Sequence, residues 1–478
     1  MASQTKKSAP DLVLRQIAEY VTGYRVTSQA AYTMARCCLL DSIACGLNAL
    51  EYPECTKLLG PMVPGASLPN GARVPGTRYS LEPVKAAFDI SSAIRWLEHS
   101  DTWFGLDGGH PSDNLGAVLA VADYVSRNAA ARRKRALTVG DVLTALIKVY
   151  EIQGVLYLKT NFIDIGLDSV GLVTVASSAV ATRMLGGGRD QIINAVSNAF
   201  LDGANPRHYR IGSSAGWRMK WAAGDAAARG VMHALMALRG EVGFPNALTA
   251  PRWGFADTLM HGKPVELARP LGTFVVENVL FKIPFPAHFH AQSASECALR
   301  LHALVKDRIG DIKSVHLRTH EKTVKSASRE GPLKDPASRD HCVQYVVAYV
   351  LIHGKLAARD YDNKAAADPR IDRLRAKMIV KEDKSFTRDF YDARKRTNCN
   401  ALYVEFRDGT RTPEVRIDYP VGHPKRRKEG LPIVEQKFRD SLKQIFSVRR
   451  QDKIMAACSN LQDLKKVPFK DFMALFVP

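Results

Sequence analysis

The sequence lacks the motifs of the common cofactor-binding and metal-binding classes. It contains no G-x-G-x-x-G, no P-loop and no internal repeat. Its eight cysteines form no C-x-x-C pair, whereas a structural zinc or an iron–sulfur cluster normally needs closely paired ligands. Three of them, Cys37, Cys38 and Cys45, lie in an apolar helical stretch, so we expect buried thiols rather than disulfides. We therefore expect no cofactor and no metal ion.

Long hydrophobic runs are also missing. The longest candidate, residues 346–352, is far shorter than the roughly 18 apolar residues of a membrane helix. Residues 1–10 have neither the apolar core of a secretion signal nor the arginine-rich character of a transit peptide. The last residues, Leu475-Phe476-Val477-Pro478, are not a peroxisomal signal. A cytoplasmic protein without membrane contact is the expectation, with mitochondrial import by a non-standard signal left open.

Acidic residues are in short supply relative to basic ones. There are 48 Asp and Glu against 68 Lys and Arg, which gives a formal net charge of +20. The densest basic runs, residues 132–135 and 425–428, lack interleaved aromatic residues and any nucleic-acid-binding signature. We therefore do not expect a nucleic-acid partner. A diffuse positive field would instead help to attract a small polyanion.

The chain has 478 residues, which is long enough for two or more domains. Apolar residues recur at helical spacing through the first half, and the pattern changes near Phe281. We predict a mainly α fold with an inserted α+β domain. A large all-helical domain would cover residues 1–280, a smaller α+β lid residues 281–425, and C-terminal helices over residues 426–478 would rejoin the helical domain.

Local patterns predict individual elements of this fold. Residues 314–319 alternate as a strand does. Residues 402–406 and 415–419 flank Asp408-Gly409, a strong hairpin signal. Helices are predicted to contain residues 39–50, 143–150, 173–184, 221–227, 291–305, 342–353 and 438–446.

The densest collection of chemical groups lies in residues 95–103 and 108–114, a glycine-broken turn with acids, hydroxyls and two imidazoles. A helical pattern from Leu115 follows directly, so the turn ends at a helix N-terminus, where free N–H groups favour a bound carboxylate. His110 beside such a site suits acid–base work on a carboxylate substrate. A lone capping Asp, or a His bonded to a backbone carbonyl, would be structural, and it is the clustering that favours a site.

Four further segments gather polar side chains. They are Pro206–Arg210, with two guanidiniums; Arg218–Trp221, with cations before a helix; Phe285–His290, with two imidazoles; and Arg339–Tyr345, with an arginine, an imidazole and a phenol. Two close guanidiniums suit bidentate carboxylate binding. Taken singly, each segment also has a structural interpretation, as surface ion pairs or core His and Tyr. His288 and His290 raise the possibility of zinc, but no third ligand is recognisable.

In this order, these segments resemble the MmgE/PrpD family over nearly the whole chain. The matching stretches are residues 40–47, 101–103, 109–114, 150–154, 221–225, 277–282, 339–342 and 419–423. The resemblance implies a large helical domain with a smaller α+β lid, a homodimer, and a site at the domain junction. It also implies metal-independent lyase chemistry on citrate-like tricarboxylates.

The resemblance also places the family's functional residues on this chain. The catalytic carboxylate, threonine and loop histidine fall on Glu98, Thr102 and His110, the lid histidine on His290, and the tyrosine on Tyr345. The residues expected to bind substrate around them are Asp101, Arg207, Arg210, Met219, Lys220, Lys282 and Arg339.

The chain departs from the family's pattern inside the expected pocket. Glu98 stands for an Asp, Ser169 for a His, and Met219 for the active-site lysine, with Lys220 one place later. One residue turns a side chain by about 100° on a helix, so Lys220 need not substitute for that lysine. Changes concentrated in the pocket favour an altered substrate, such as a 2-alkylcitrate with a longer apolar tail.

The expected function is loss of water from 2-methylcitrate or a longer 2-alkylcitrate, which gives the alkyl-aconitate. His110 would be the base, with Glu98 orienting it or sharing its proton. His290 or Tyr345 would protonate the leaving hydroxyl, and base and acid could exchange. Cations would stabilise the charge that builds on a substrate carboxylate. Two alternatives stay open: an aconitate-type decarboxylase on the same scaffold, and an inactive basic scaffold that binds nucleic acid or a partner protein.

Overall fold

The computed structural model describes residues 9–210 and 216–478. Residues 1–8, on which most of the expectation about a leader depends, lie outside the described residues. Helices dominate the fold and accompany a small mixed sheet, so the predicted mainly α character is confirmed. Within the described ranges, no helix is long and apolar enough to cross a membrane.

Before residue 281 the chain is built from helices with two small hairpins. The α-helices are Leu12–Gly23, Gln29–Ala49, Pro53–Thr56, Pro83–Arg95, Leu115–Arg127, Val139–Tyr157, Gly171–Met184, Arg189–Leu201, Arg218–Leu238, Phe255–Thr258 and Phe274–Asn278. The strands pair antiparallel, Ala72–Arg73 with Ser80–Leu81 and Trp103–Phe104 with Gly108–Gly109. The helices predicted in this half are all present.

After residue 281, helices and strands are mixed, and the chain ends in helices. The α-helices are Gln292–Val305, Glu321–Ser326, Pro336–Arg339, Val343–His353, Asn363–Ala366, Pro369–Arg375, Lys384–Tyr391, Arg427–Leu442, Val448–Ser459, Leu461–Lys466 and Phe469–Ala474. The 3-10 turns of the described residues are Pro111–Asn114, Ile163–Ile165, Arg207–Arg210, Phe289–Ala291, Lys306–Asp311, Ala358–Tyr361 and Pro424–Arg426.

The four-stranded sheet has the order Met378–Glu382, Ile312–Thr319, Asn400–Phe406, Val415–Ile417. Its last three strands are antiparallel, and Gly409 in the connecting turn has a φ of +83° that glycine adopts at no steric cost. This confirms the predicted strand and hairpin. The first strand runs parallel to its neighbour and was not predicted. It is a five-residue edge strand without a fully buried position, so its sequence lacks a clear alternation.

Buried apolar side chains form two large cores. The first holds the helices before residue 281 and also takes in side chains of the C-terminal helices, from Val434 to Phe476. The second lies between residues 285 and 417 and joins the mixed sheet to the helices Gln292–Val305 and Val343–His353. All eight cysteines are buried and free, as expected of core thiols. The boundary between the two cores is where the chemical groups collect.

Candidate active site

A cavity of about 750 Å³ opens between the two cores. Its wall combines the turn 95–113 and the helix Arg218–Leu238 with segments 288–290 and 322–341 from the second core. Among the wall residues are Arg95, Glu98, Thr102, Phe104, His110, Asp113, Ser169, Arg207, Arg210, Met219, His288, His290, Lys322, Arg329 and His341. The cavity therefore collects side chains from the glycine-broken turn and from all four further segments that predicted chemistry.

Glu98 lies at the centre of the polar part of this wall. The helix Pro83–Arg95 ends just before it, and Glu98 adopts a positive φ of +44°, which turns the side chain back over the helix end. One carboxylate oxygen accepts a hydrogen bond from Arg95, and the other accepts one from Lys282 Nζ at 2.5 Å. All three side chains are at most 2% exposed. A non-glycine residue held in this conformation at a buried ion cluster is typical of a functional site.

The charges around Glu98 decide its protonation. Burial alone would raise the pKa of the Glu98 carboxyl, but Arg95 and Lys282 outweigh burial and hold it well below its ordinary value. Burial lowers the pKa of Lys282 to about 8, against the opposing effect of Glu98. Glu98 is therefore an ionised carboxylate whose charge is already matched by two cations.

His110 faces Glu98 with one defined ring nitrogen. Its Nδ1 lies 2.5 Å from the carbonyl oxygen of Asp101. Because a carbonyl only accepts, Nδ1 carries the proton, and Nε2 is left as the basic nitrogen, 3.8 Å from Glu98 Oε1. Burial, together with Arg95 and Lys282, holds the pKa of His110 well below its ordinary value. His110 is thus a neutral imidazole with its lone pair toward the cavity, the form that a general base requires.

Asp101 lies beneath the cavity and organises the turn. Its carboxylate accepts hydrogen bonds from the Tyr150 hydroxyl at 2.5 Å and from the Ser112 amide at 3.1 Å. The Ser112 amide belongs to the 3-10 turn that leads into the helix Leu115–Arg127. The predicted helix N-terminus is present, but at Ser112 the protein's own carboxylate occupies the place expected for a substrate carboxylate. Asp101 acts through His110, which its carbonyl holds in place.

A second imidazole reaches Glu98 from the other side. His341 Nε2 lies 3.7 Å from Glu98 Oε2, and His341 Nδ1 bonds to the Asp340 carboxylate. The other Asp340 oxygen accepts a hydrogen bond from Lys220 Nζ at 2.6 Å. Lys220, expected to bind substrate, is 2% exposed and paired with Asp340. Burial lowers the pKa of His341, while Asp340 and Glu98 oppose that effect.

His288 and His290 lie next to His341. The His288 ring centroid is 5.0 Å from both neighbouring imidazoles. His290 Nδ1 lies 3.1 Å from the Asn398 amide oxygen, and its ring stacks on Phe104. Burial holds the pKa of both imidazoles well below the ordinary value. Over residues 9–210 and 216–478, no three or more His, Cys, Asp or Glu side chains are grouped to hold a metal ion.

Four other predicted site residues line the cavity. The Thr102 hydroxyl donates to the Gly109 carbonyl at 2.9 Å and fixes the turn. Arg210 pairs with buried Asp168, and Met219 is 1% exposed in the wall. Arg207 is half-buried and forms no ion pair within 4 Å with any residue that the structure describes. Arg207 is therefore a guanidinium available to a substrate carboxylate.

Arg339 and Tyr345 lie away from the cavity. The Arg339 guanidinium donates to the carbonyls of Tyr361 and Leu333 and to Asn363. The Tyr345 hydroxyl donates to the Asp360 carbonyl at 2.7 Å. Neither Arg339 nor Tyr345 is among the described residues that line the cavity. Both side chains bind the residues that follow the helix Val343–His353: Tyr345 bonds to Asp360, and Arg339 bonds to Tyr361 and Asn363.

Sequence reasoning did not select Arg95, Asp113 or His341 as site residues. Arg95 and Asp113 lie within residues 95–103 and 108–114, which were singled out, and His341 lies in the Arg339–Tyr345 segment. A signal for Arg95 was present, since it stands three residues before Glu98 at the end of one helix. Asp113 is 2% exposed, and one of its oxygens has no hydrogen-bond partner among the described residues. Burial raises the pKa of Asp113 to about 7.

Family models and known relatives match the chain along its length. The MmgE/PrpD N-terminal domain matches residues 15–268, and the MmgE/PrpD C-terminal domain matches residues 285–461. The chain belongs to the MmgE/PrpD family. The resemblance inferred from its motifs is thereby confirmed.

Three relatives illustrate the closeness of the match. A 2-methylcitrate dehydratase of Cupriavidus necator is 50% identical over 98% of this chain and 97% of its own length. One of Escherichia coli (strain K12) is 48% identical over the full length of both chains. A mitochondrial 2-methylcitrate dehydratase of Yarrowia lipolytica is 45% identical over 98% of this chain and 90% of its own length. The alignment with each relative covers nearly all of this chain, and so includes cavity residues both before and after residue 281.

Proposed function

We propose that this MmgE/PrpD protein is a hydro-lyase that removes water from 2-methylcitrate to give the corresponding aconitate. The observation that carries the proposal is the pair of imidazoles, His110 and His341, whose Nε2 atoms flank one ionised carboxylate in the wall of a cationic cavity. Loss of water needs a base at one carbon and an acid at the other. The names of the full-length relatives support the same reaction.

His110 removes the proton that lies α to a substrate carboxylate. Its Nε2 lone pair points into the cavity because the Asp101 carbonyl holds the proton on Nδ1. Electrons from the broken C–H bond move onto that carboxylate, so the barrier is the negative charge that builds there. Positioned cations and N–H groups stabilise such charge by several kcal/mol in a site that excludes water, about 3–4 kcal/mol for one good donor.

Arg207 is the principal candidate to bind that carboxylate. Arg210 is paired one-to-one with Asp168 and Lys220 with Asp340, whereas Arg95 and Lys282 share the single charge of Glu98 and are both bonded to it. Lys322 and Arg329 line the opposite wall and provide further cations for the other carboxylates of a tricarboxylate. The site thus has cations from both halves of the chain in the cavity wall and one positive charge in excess at its catalytic centre.

A longer 2-alkylcitrate is a second candidate substrate. Apolar side chains of Phe104, Leu106, Ile163, Met219 and Phe390 line one part of the cavity. Leu106 and Ile163 are 51% and 38% exposed, so an alkyl chain laid along them would cover apolar surface. Each buried CH₂ contributes about 0.8 kcal/mol, so a hexyl chain has ample gain available.

The assembly and domain assignments belong to the same proposal. The apolar side chains of residues 434–476 pack in the first core, which supports a division into a helical domain (1–280), an α+β lid (281–425) and rejoining helices (426–478). We propose a homodimer in the cytoplasm; the mitochondrial relative keeps import as the alternative. Light scattering coupled to gel filtration tests the dimer, and a monomer mass would contradict it.

Mass spectrometry of the purified protein tests the reaction. It would be incubated with citrate, 2-methylcitrate, a hexyl-chain alkylcitrate and cis-aconitate, beside His110→Ala. We expect loss of 18 mass units from an alkylcitrate (about the mass of water), abolished in the variant, since a general base contributes about 10²–10⁴-fold. Release of CO₂ from cis-aconitate would identify a decarboxylase instead. Salt-sensitive retention on nucleic acid with no turnover would identify a basic scaffold.

A further inference from the structure

We infer that His341, held by Asp340, is the general acid that protonates the departing tertiary hydroxyl. The inference deepens the proposed function and rests on it. It assigns the acid to a residue outside the pair suggested by the family resemblance, His290 and Tyr345.

The contacts of His341 fix both its orientation and its proton. Its Nδ1 bonds to Asp340, so its Nε2 is directed toward Glu98 Oε2 at 3.7 Å. The Lys220 ammonium at 2.6 Å holds the other Asp340 oxygen. His341 is 11% exposed through the cavity wall, and Asp340 is 7% exposed behind it. An imidazole with one nitrogen bonded to a carboxylate and the other directed toward a second carboxylate in the cavity wall is placed to transfer a proton.

His110 and His341 differ in the group that holds Nδ1. His110 is held by the neutral carbonyl of Asp101, and His341 is held by the carboxylate of Asp340. A carboxylate stabilises an imidazolium, whereas a carbonyl does not add a charge. Of the two, His341 therefore holds an extra proton the more readily and is the donor, and His110 is the one that receives. When the surroundings of two like titratable groups shift their proton affinities apart, the group with the higher affinity acts as the acid and the other as the base.

The other candidates lack this arrangement. His290 Nδ1 bonds to the neutral amide of Asn398, as His110 does to a carbonyl. The Tyr345 hydroxyl is committed to the Asp360 carbonyl away from the cavity wall. The placement of Lys220 also follows: shifted by one residue, this lysine holds Asp340 rather than the substrate. Lys220 and Asp340 are thus positioning residues for the acid.

Glu98 completes the transfer of protons in the reaction. His110 takes the proton from carbon and the C–H electrons move onto the adjacent carboxylate; they then form the C=C bond as the C–O bond breaks. The leaving oxygen takes the proton of His341 Nε2 and departs as water. Glu98 lies between the two Nε2 atoms, 3.8 and 3.7 Å away, and returns the proton from His110 to His341. Both imidazoles are then in their starting forms, and no other reactant is needed.

A change of leaving group tests the assignment. Fluoride departs with much less need of a proton than hydroxide, so an analogue of 2-methylcitrate with fluorine in place of the tertiary hydroxyl bypasses the acid. The variants are His341→Gln, Asp340→Asn and His110→Gln, with His316→Gln on the sheet as a matched histidine outside the cavity. The measured quantity is kcat/KM for 2-methylcitrate divided by kcat/KM for the fluoro analogue.

We expect His341→Gln to lower this ratio by at least about 100-fold relative to wild type, because general acids contribute 10²–10⁴-fold. Asp340→Asn should lower the ratio in the same direction by less. His110→Gln should lower both rates and leave the ratio unchanged. An unchanged ratio in His341→Gln would overturn the assignment. Turnover of the fluoro analogue shows that a variant is folded. A wild-type protein that turns over neither compound would overturn the proposed function itself.

Discussion

At the scale of single residues, Glu98 is the position on which the site depends. It balances two buried cations and lies against both imidazoles. Removing one partner of a buried ion pair costs about 3–5 kcal/mol because the remaining charge is left buried and unmatched. We expect Glu98→Gln to lower the free energy of unfolding by this amount, measured by urea denaturation, and to lower kcat at least about 100-fold.

The matched control for Glu98 is a carboxylate in an exposed pair. Glu266 pairs with Lys159 at 2.8 Å, and both side chains are 52% exposed. Exposed pairs contribute little, so Glu266→Gln should leave stability and kcat within error of wild type. Equal stability of the two variants would show that Glu98 does not balance the buried cations.

Asp113 provides a prediction about pH. Burial raises its pKa to about 7, so its ionisation destabilises the folded protein as pH rises. A carboxyl with a raised folded pKa contributes most stability below its unfolded pKa of about 4, and this contribution is lost progressively as pH rises from about 4 to about 7. Asn imitates the protonated form, so Asp113→Asn should be more stable than wild type. We expect this gain in the free energy of unfolding to be about 2 kcal/mol larger at pH 8 than at pH 5. Urea denaturation without substrate at the two pH values measures this, and a pH-independent difference would contradict it.

At the scale of elements, one close helix contact positions both sides of the cavity. A Cβ added at Gly224 would lie 2.1 Å from Ser92 Oγ and 2.4 Å from the Phe88 carbonyl, so the helices Pro83–Arg95 and Arg218–Leu238 touch there. The first helix carries Arg95, and the second carries Met219 and Lys220. We expect Gly224→Ala to cost about 1–3 kcal/mol of stability by overpacking. Gly310 is exposed in the 3-10 turn Lys306–Asp311, and a Cβ there would meet nothing within 4 Å, so Gly310→Ala should be neutral in the same denaturation experiment.

The Ala-Ala-Gly-Asp stretch around Gly224 shows what the sequence can predict. Residues 221–227 were predicted to be helical, and they lie in the helix Arg218–Leu238, whose small residues allow the close contact. The hairpin at Asp408-Gly409 was predicted equally directly, since its signal is local. The edge strand Met378–Glu382 was missed because its pairing partner lies about 60 residues earlier and its side chains are only half-buried.

For the site, as for the fold, contacts between residues close in sequence could be predicted, and contacts between distant residues could not. His110 and Glu98 belong to one turn, so the sequence predicted that they lie together. His341 joins them from about 240 residues away, through an ion cluster that no local pattern records. Lys282 and Lys220 were selected as cations, but the sequence did not show which carboxylates they pair with. Burial and pairing of charges are properties of the folded core, and they decide which cation is available to a substrate.

At the scale of the whole molecule, the formal charge of +20 raises the question of what the basic residues do. Those of the run 425–428 partly serve the fold. Arg426 pairs with Glu296 and Glu429, and Arg427 covers the Phe281 ring. This run is therefore largely structural rather than a free basic patch. The remaining cations act together as a field that concentrates a polyanionic substrate near the cavity.

Salt separates this long-range field from binding inside the cavity. Raising KCl from 0.1 to 1 M shortens the Debye length from about 10 to about 3 Å, which screens the field but not buried pairs. We expect kcat/KM for the tricarboxylate to fall about tenfold or more while kcat changes less than twofold. Lys322→Gln in the cavity wall should lower kcat/KM at both salt concentrations, whereas Lys453→Gln on the helix Val448–Ser459 should not. A kcat/KM independent of salt would mean that the net charge serves something other than capture of the substrate.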